Sequence, residues 1–265
     1  MGLSTVGPIY KSFILGREGN PGRRDMRDYG VFITGKTVYD MPVRQVEMVT
    51  IPGRNGTLLR DMGRWENIEV VYHAGIAADS QEEFATAMQN LRHALTGRYA
   101  TYQYIYDDYN PDEFRLGVFK GGLEVEPDVY GKTGEFDIVF DCKPQRFLKS
   151  GENFVSRQSG GSISNTRSQY THPLLRFKMT SATGNITIAR GNTTIGAISI
   201  SNAPLDTLIY IDCETGEAYN LTTLESYNQY VDLGAELPYL TGGSNTITYS
   251  ASVTDFEIMP RWWIL

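Results

Sequence analysis

The sequence predicts a mainly β protein: an N-terminal β-rich domain with one packed α-helix, followed by an antiparallel β-sandwich. Three observations carry this reading. Aromatic residues make up 12% of the 265, with 17 tyrosines, and aromatic and β-branched side chains suit a half-buried pleated surface. Apolar and polar residues alternate with the two-residue period of a strand in many short segments. Only one stretch carries the 3.6-residue period of a helix.

In the first half, strands are predicted over 9–15, 31–38, 44–50, 66–73, 101–106, 114–125 and 135–142. In the last of these, Phe136, Ile138 and Phe140 share one face, and Glu135, Asp137, Val139 and Asp141 the other. The helix is predicted over 81–96, where Ser80 and Glu83 form a capping box that satisfies orphan amides, worth about 1 kcal/mol. Phe84, Met88, Leu91 and Leu95 make one stripe with Ala87 and Ala94 beside it. That stripe is expected against the sheet and not on a membrane, because the opposite face is not basic. Gly97 is the expected left-handed terminator.

Two segments interrupt the strands. Residues 17–28 (REGNPGRRDMRD) are charged and rich in turn formers, which predicts a long exposed loop. Residues 51–64 carry Pro52-Gly53 and Asn55-Gly56 in close succession, which predicts a hairpin reaching out from the body. From Lys149 to His172 the chain turns rich in Ser, Gly and Asn, so the domains are placed at 1–148 and 173–265 with a linker at 149–172. Phe154 and Ile163 are available to pin that linker to a neighbour.

The second half shows short strands at 174–179, 186–189, 197–200, 207–211, 217–221, 230–233, 245–250 and 256–259, separated by turn signals. That rhythm is the pattern of a sandwich. Near the end stand Arg261, Trp262 and Trp263. Adjacent tryptophans on an extended segment face opposite ways, so at least one is expected to be buried and the end tied down. Arg261 is placed to lie over an indole face.

Charge and composition narrow the functions. With 24 basic and 31 acidic side chains the formal net charge is −7, whereas a protein that grips duplex DNA shows a basic patch. Cys142 and Cys213 are far apart, lie in different predicted domains and have no CxxC partner, which fits a reducing cytoplasm. The first residues lack a basic stretch followed by an apolar core, and no apolar run reaches membrane-spanning length. No membrane association is expected. His73, His93 and His172 make no zinc-type pair, and there is no nucleophile elbow, phosphate loop or dinucleotide fingerprint. Gly30, Gly35, Gly53 and Gly56 read as turn glycines. No catalytic residue, cofactor or metal is predicted.

Two sugar chemistries stay open at this point. Asp107-Asp108 and Asp112-Glu113 flank a tyrosine-rich stretch. Two carboxylates at either side of an aromatic sugar platform make a hydrolase hypothesis, since a glycosidase needs two of them. Asn110-Pro111-Asp112 is also a strong turn, the reading preferred here. In the second half, Tyr219, Tyr227, Tyr230 and Tyr239 would stack on sugar rings if exposed, giving an alternative function as a carbohydrate-binding adhesin acting through the C-terminal sandwich. They serve equally well as half-buried sheet residues.

An ordered set of motifs resembles one family. It runs from Ile51-Pro52-Gly53-Arg54-Asn55-Gly56 through Lys143-Pro144-Gln145-Arg146-Phe147-Leu148 to Pro173-Leu174. It continues with Ile211 to Tyr219, Leu237-Pro238 with Leu240, the Gly242-Gly243-Ser244-Asn245 run, and Pro260-Arg261-Trp262-Trp263. The set is similar to the distal tail (Dit) proteins of siphophages and related prophages. The resemblance implies a galectin-like C-terminal sandwich and a homo-hexameric ring that joins tail tube to tail tip or baseplate, with DNA passing through the lumen unbound. Its implied neighbours are the major tail protein, the tape measure protein, a tail-associated adhesin or lysin, and receptor-binding proteins. Its implied location is the virion, after synthesis in the host cytoplasm. Candidate subunit-interface residues are Arg23, Arg24, Pro52, Gly53, Arg54, Asn55 and Gly56; candidate anchors are Arg146, Phe147, Arg261, Trp262 and Trp263.

Overall fold

The structure, a computed structural model, describes residues 10–36, 41–96 and 100–265. Gly97 and residues 9, 37 and 38 of the first two predicted strands lie outside the described residues. The chain divides into two compact units, Met1–Arg146 with Leu265, and Phe147–Ile264. Strands form 49% of the described residues and helices 10%, so the mainly β prediction holds.

The first unit contains β1 (Phe13–Leu15), β2 (Arg24–Asp25), β3 (Val31–Lys36), β4 (Arg44–Thr50), β5 (Thr57–Trp65) and β6 (Ile68–Ala77). After α1 (Gln81–Thr96) come β7 (Gln103–Asp107), β8 (Glu113–Phe119), β9 (Glu126–Pro127) and β10 (Thr133–Leu148). The main sheet runs β2-β1-β7-β8-β10-β6-β3, with β9 also on β10. The helix occupies the residues the periodicity predicts. Ser80 Oγ accepts from the Glu83 amide at 3.2 Å, and Glu83 Oε2 accepts from the Asp79 amide at 3.2 Å. Phe84, Ala87, Met88, Leu91, Ala94 and Leu95 are buried in one core with Tyr72, Ile76, Phe136, Ile138 and Phe140. Each fully buried large apolar side chain contributes about 1.5–3 kcal/mol, so this stripe and not helix propensity holds α1 in place.

Residues 17–28 are not a free loop. Arg24 and Asp25 form β2, a 3-10 turn covers Met26–Tyr29, and Met26 is fully buried. Arg24 donates to the Ala94 carbonyl and to Gln103 Oε1. One methionine among charges is a weak pattern signal, yet it is the residue that pins the segment.

The second unit holds β11 (Val155–Ser156), β12 (Gly161–Asn165), β13 (Leu174–Met179), β14 (Gly184–Arg190) and β15 (Thr193–Ile200). It continues with β16 (Ile209–Asp212), β17 (Glu217–Tyr219), β18 (Val231–Asp232), β19 (Gly243–Tyr249) and β20 (Val253–Met259). Two five-stranded antiparallel sheets, β11-β20-β13-β16-β17 and β12-β19-β14-β15-β18, share one core that includes Leu175, Phe177, Ile186, Ile188, Ile211, Ile247 and Ile258. The segment read from composition as a linker supplies one strand to each sheet. β12 pairs with β19 from Gly161↔Ile247 to Asn165↔Gly243, and it buries Ile163 and Asn165. The alternation is present there, but serine and asparagine hide it from a reading of apolar residues alone.

Candidate functional site

β4 and β5 stand apart from the main sheet as a separate two-stranded ladder. The register pairs Thr50↔Thr57, Val49↔Leu58, Met48↔Leu59 and Glu47↔Arg60. Cross-strand partners share a face, so Met48 and Leu59 lie on one side and Val49 and Leu58 on the other. Both sides are open to solvent: Met48 is 61% exposed, Leu59 60%, Leu58 50%, and Val46 and Met62 also stand out. Polar ties hold the ribbon together. Arg44 reaches both oxygens of Asp61 and lies over the Trp65 ring at 5.2 Å, and Arg60 pairs with Glu47 at 3.4 Å.

The tip, residues 51–56, carries the family-like motif. Gly53 and Gly56 both have φ of +78°, a region that costs a side-chain-bearing residue about 1–2 kcal/mol. Pro52, Gly53, Arg54, Asn55 and Gly56 are all exposed, and Arg54 has no ion-pair partner among the described residues. Of the other interface candidates, Arg23 is exposed, while Arg24 is engaged inside its own unit. The apolar flanks Met48, Leu58 and Leu59 were missed from sequence, although neither β4 nor β5 has a purely polar face to turn to solvent.

The candidate anchors all make contacts. Arg146 approaches Glu113 at 3.3 Å and donates to the Leu265 carbonyl at 2.7 Å. Phe147 is buried. Arg261, expected over an indole, instead forks onto Asp212 with bonds of 2.7 and 2.8 Å. Burial alone would raise the Asp212 carboxyl, but the Arg261 fork and nearby backbone amides outweigh it and hold the carboxyl below its usual range. Trp262 packs on the second unit's core, and Trp263 Nε1 donates to the Tyr170 carbonyl at 3.0 Å. Gly151 permits this arrangement, since a Cβ there would stand 2.3 Å from the Trp262 nitrogen.

Asp107 and Asp108, the first of the two carboxylate pairs beside the tyrosine-rich stretch, are engaged by neighbouring groups. Asp107 accepts from the Tyr109 and Asn110 amides at 2.9 and 3.0 Å and from the Tyr72 hydroxyl at 3.0 Å. Asp108 accepts from the Ser12 amide at 2.8 Å and from Arg27. Nor do the four C-terminal tyrosines form a bare platform. Tyr227 is buried against Tyr230, Tyr219 stacks on Tyr210, and Tyr239 meets Tyr170 and His172 edge-on.

No protein-family model and no curated protein sequence matches this chain. Solved structures do. The chain is similar to the Dit protein of phage SPP1, described as a paradigm of the hub adsorption apparatus in phages infecting Gram-positive hosts, with a TM-score of 0.73 and 13% identity. That match covers 96% of this chain and 99% of that one. It is also similar to a chain of the phage P2 baseplate in its activated conformation with calcium, with a TM-score of 0.60, 9% identity, and coverage of 94% and 96%. The strontium form of that baseplate matches with a TM-score of 0.56 and 9% identity, over 94% and 96% of the two chains. The fold is therefore that of phage hub and baseplate proteins across both units.

Proposed function

We propose that this chain is a Dit-type structural hub of a long-tailed phage tail tip or baseplate, and that it is not an enzyme. The first unit closes a homo-hexameric ring. The ring joins the tail tube, through the major tail and tape measure proteins, to a tail-associated adhesin or lysin and to receptor-binding proteins. Its lumen lets DNA pass without specific binding, and its place is the virion. The second unit is the galectin-like sandwich.

The observation that carries this reading is the β4–β5 ribbon, apolar on both faces, on a fold shared end to end with a phage hub protein. A lone two-stranded hairpin is marginally stable in water, and contiguous exposed apolar surface marks a protein contact. The same ribbon on every copy, docked head to tail, generates a closed ring when the rotation permits. Cys142 and Cys213 are buried and form no disulfide, which suits folding in a host cytoplasm before assembly.

Light scattering coupled to size exclusion, over a range of concentrations, tests this. The expected result is a hexamer, or a monomer that shifts to a hexamer as concentration rises. Met48→Asp with Leu59→Asp, and separately Arg54→Glu, are expected to abolish that shift while leaving the monomer folded. A strict dimer, or a hexamer unchanged by all three substitutions, overturns the assignment of the ribbon to the ring.

A further inference from the structure

The outer face of the sheet β11-β20-β13-β16-β17 carries a groove of about 790 Å³ lined by Ser156, Arg157, Gln158, Arg176, Lys178 and residues 255–257, with Leu208 as its apolar wall. The volume lies in the range of small-ligand sites, about 300–1,000 Å³. It is built by an irregularity in the ladder. β13 and β20 pair Arg176↔Glu257 and then Lys178↔Thr254, so Asp255 and Phe256 together oppose Phe177. This is a β-bulge, and Asp255 sits in it with φ of +51°.

The bulge has a clear consequence for the side chains. Val253, Phe256 and Ile258 all stay buried, which strict alternation would forbid for Val253 and Phe256 together. The extra residue, Asp255, is turned outward beside Glu257, with its side chain 65% exposed. A left-handed aspartate inside a strand is strained, and such strain and such bulges collect at binding sites, where they re-aim a side chain.

What the bulge completes is an interleaved set of charges. Arg176 Nε donates to Glu257 at 2.5 Å, Lys178 Nζ lies 2.9 Å from Asp255, and the Ser156 hydroxyl stands 3.5 Å from Glu257. The Arg176 guanidinium carbon lies over the Phe154 ring, 3.9 Å from its centroid. Arg157 is tethered by its bonds to the Ser162 and Ser156 carbonyls at 3.1 and 2.8 Å. After these bonds form, each guanidinium and the ammonium keep spare N–H groups, and each carboxylate keeps spare lone pairs.

From this geometry we infer that the groove binds a neutral saccharide. A hydroxyl group donates and accepts at once, so a vicinal pair of hydroxyls satisfies an Arg–Glu or Lys–Asp pair without displacing its charge balance. An anionic ligand would meet Asp255 and Glu257, and a cationic one would meet Arg157, Arg176 and Lys178. The saccharide site lies within the second unit and does not depend on ring closure by the first.

A glycan array carrying neutral and anionic saccharides, probed with the full-length chain, tests the inference, with titration calorimetry on the neutral glycans retained. Neutral glycans are expected to bind, and Glu257→Gln and Asp255→Gly are each expected to weaken binding about tenfold, the scale of losing one charge-assisted hydrogen bond. Asp255→Gly also removes the left-handed strain, so its melting temperature should not fall; this separates loss of binding from loss of fold. No neutral glycan retained, retention of anionic glycans alone, or unchanged affinity in both variants overturns the site. The oligomer measured by light scattering is expected to be the same in these variants, so this site and the hub reading fail separately.

Discussion

Two hairpins of similar length differ in almost everything that matters for stability. β14 and β15 of the second unit meet across a short turn at Gly191 and Asn192, and the ladder pairs Ile186 with Ile198. Ile186 and Ile188 are fully buried, Ile198 is 1% exposed and Ile200 3%. β4 and β5 of the first unit also alternate and also carry large apolar side chains, yet Met48 and Leu59 are more than half exposed. Turn chemistry makes a hairpin in both places. Burial makes only one of them part of a core, and the other keeps its apolar surface available for a second molecule.

The largest test of that contrast truncates one apolar side chain in each hairpin. Ile188→Ala removes fully buried methyl groups and is expected to destabilise the second unit by about 2–5 kcal/mol. Met48→Ala deletes exposed surface and is expected to shift monomer stability by no more than about 0.5 kcal/mol, while weakening the oligomer. Denaturant unfolding at low protein concentration measures both. If Met48→Ala destabilised the monomer as much as Ile188→Ala, the ribbon would be packed within its own chain and the contrast would collapse.

The same contrast was only half legible in the sequence. Alternation and turn signals place β4, β13 and α1 on the residues they occupy, because each has an uninterrupted pattern and clear ends. What alternation cannot report is whether a face finds a partner. Met48 and Leu59 read as core residues by type, and only the isolation of their ladder shows otherwise. The opposite error appears at residues 149–172, where polar residues such as the buried Asn165 take strand positions. Its side chain is satisfied by the Gln169 carbonyl at 2.8 Å and the Arg167 amide at 2.9 Å, so burial costs little there. The groove was invisible for a further reason: a bulge changes the face of a residue without changing the composition around it.

Two forked arginine–aspartate pairs sharpen the comparison. Arg261–Asp212 is largely enclosed, with side-chain exposures of 20% and 15%, whereas Arg44–Asp61 on the ribbon has 42% and 44%. Asp212→Asn leaves the enclosed Arg261 only the more distant Glu214 carboxylate at 3.7 Å and is expected to cost about 2–4 kcal/mol, near the lower end for breaking a buried pair. Asp61→Asn is expected to leave global stability unchanged. Because the folded Asp212 carboxyl is held below its unfolded value of about 3.9, its contribution is fully present above that pH. It is lost as pH falls through the folded value. Acid melts of the native chain and of Asp212→Asn should therefore begin to converge below about pH 4 and meet only below the folded value. Curves that stay parallel would show that Asp212 does not carry this acid sensitivity.

The smallest effect belongs to the ribbon's tip. Gly56 has φ of +78° and nothing within 4 Å of where a Cβ would stand, so Gly56→Ala adds backbone strain without a clash. That strain is about 1 kcal/mol. In a hairpin folded into a core the loss would appear in global unfolding. In a ribbon with both faces in solvent the strain is relieved by local fraying, since segments with few buried apolar contacts open independently of the global transition. Amide exchange in residues 44–65 should quicken several-fold in the variant monomer, with the denaturant midpoint unmoved. A lowered midpoint with unchanged exchange would mean that the ribbon unfolds together with the sheet of its unit, and its exposed side chains would then need a role in the monomer.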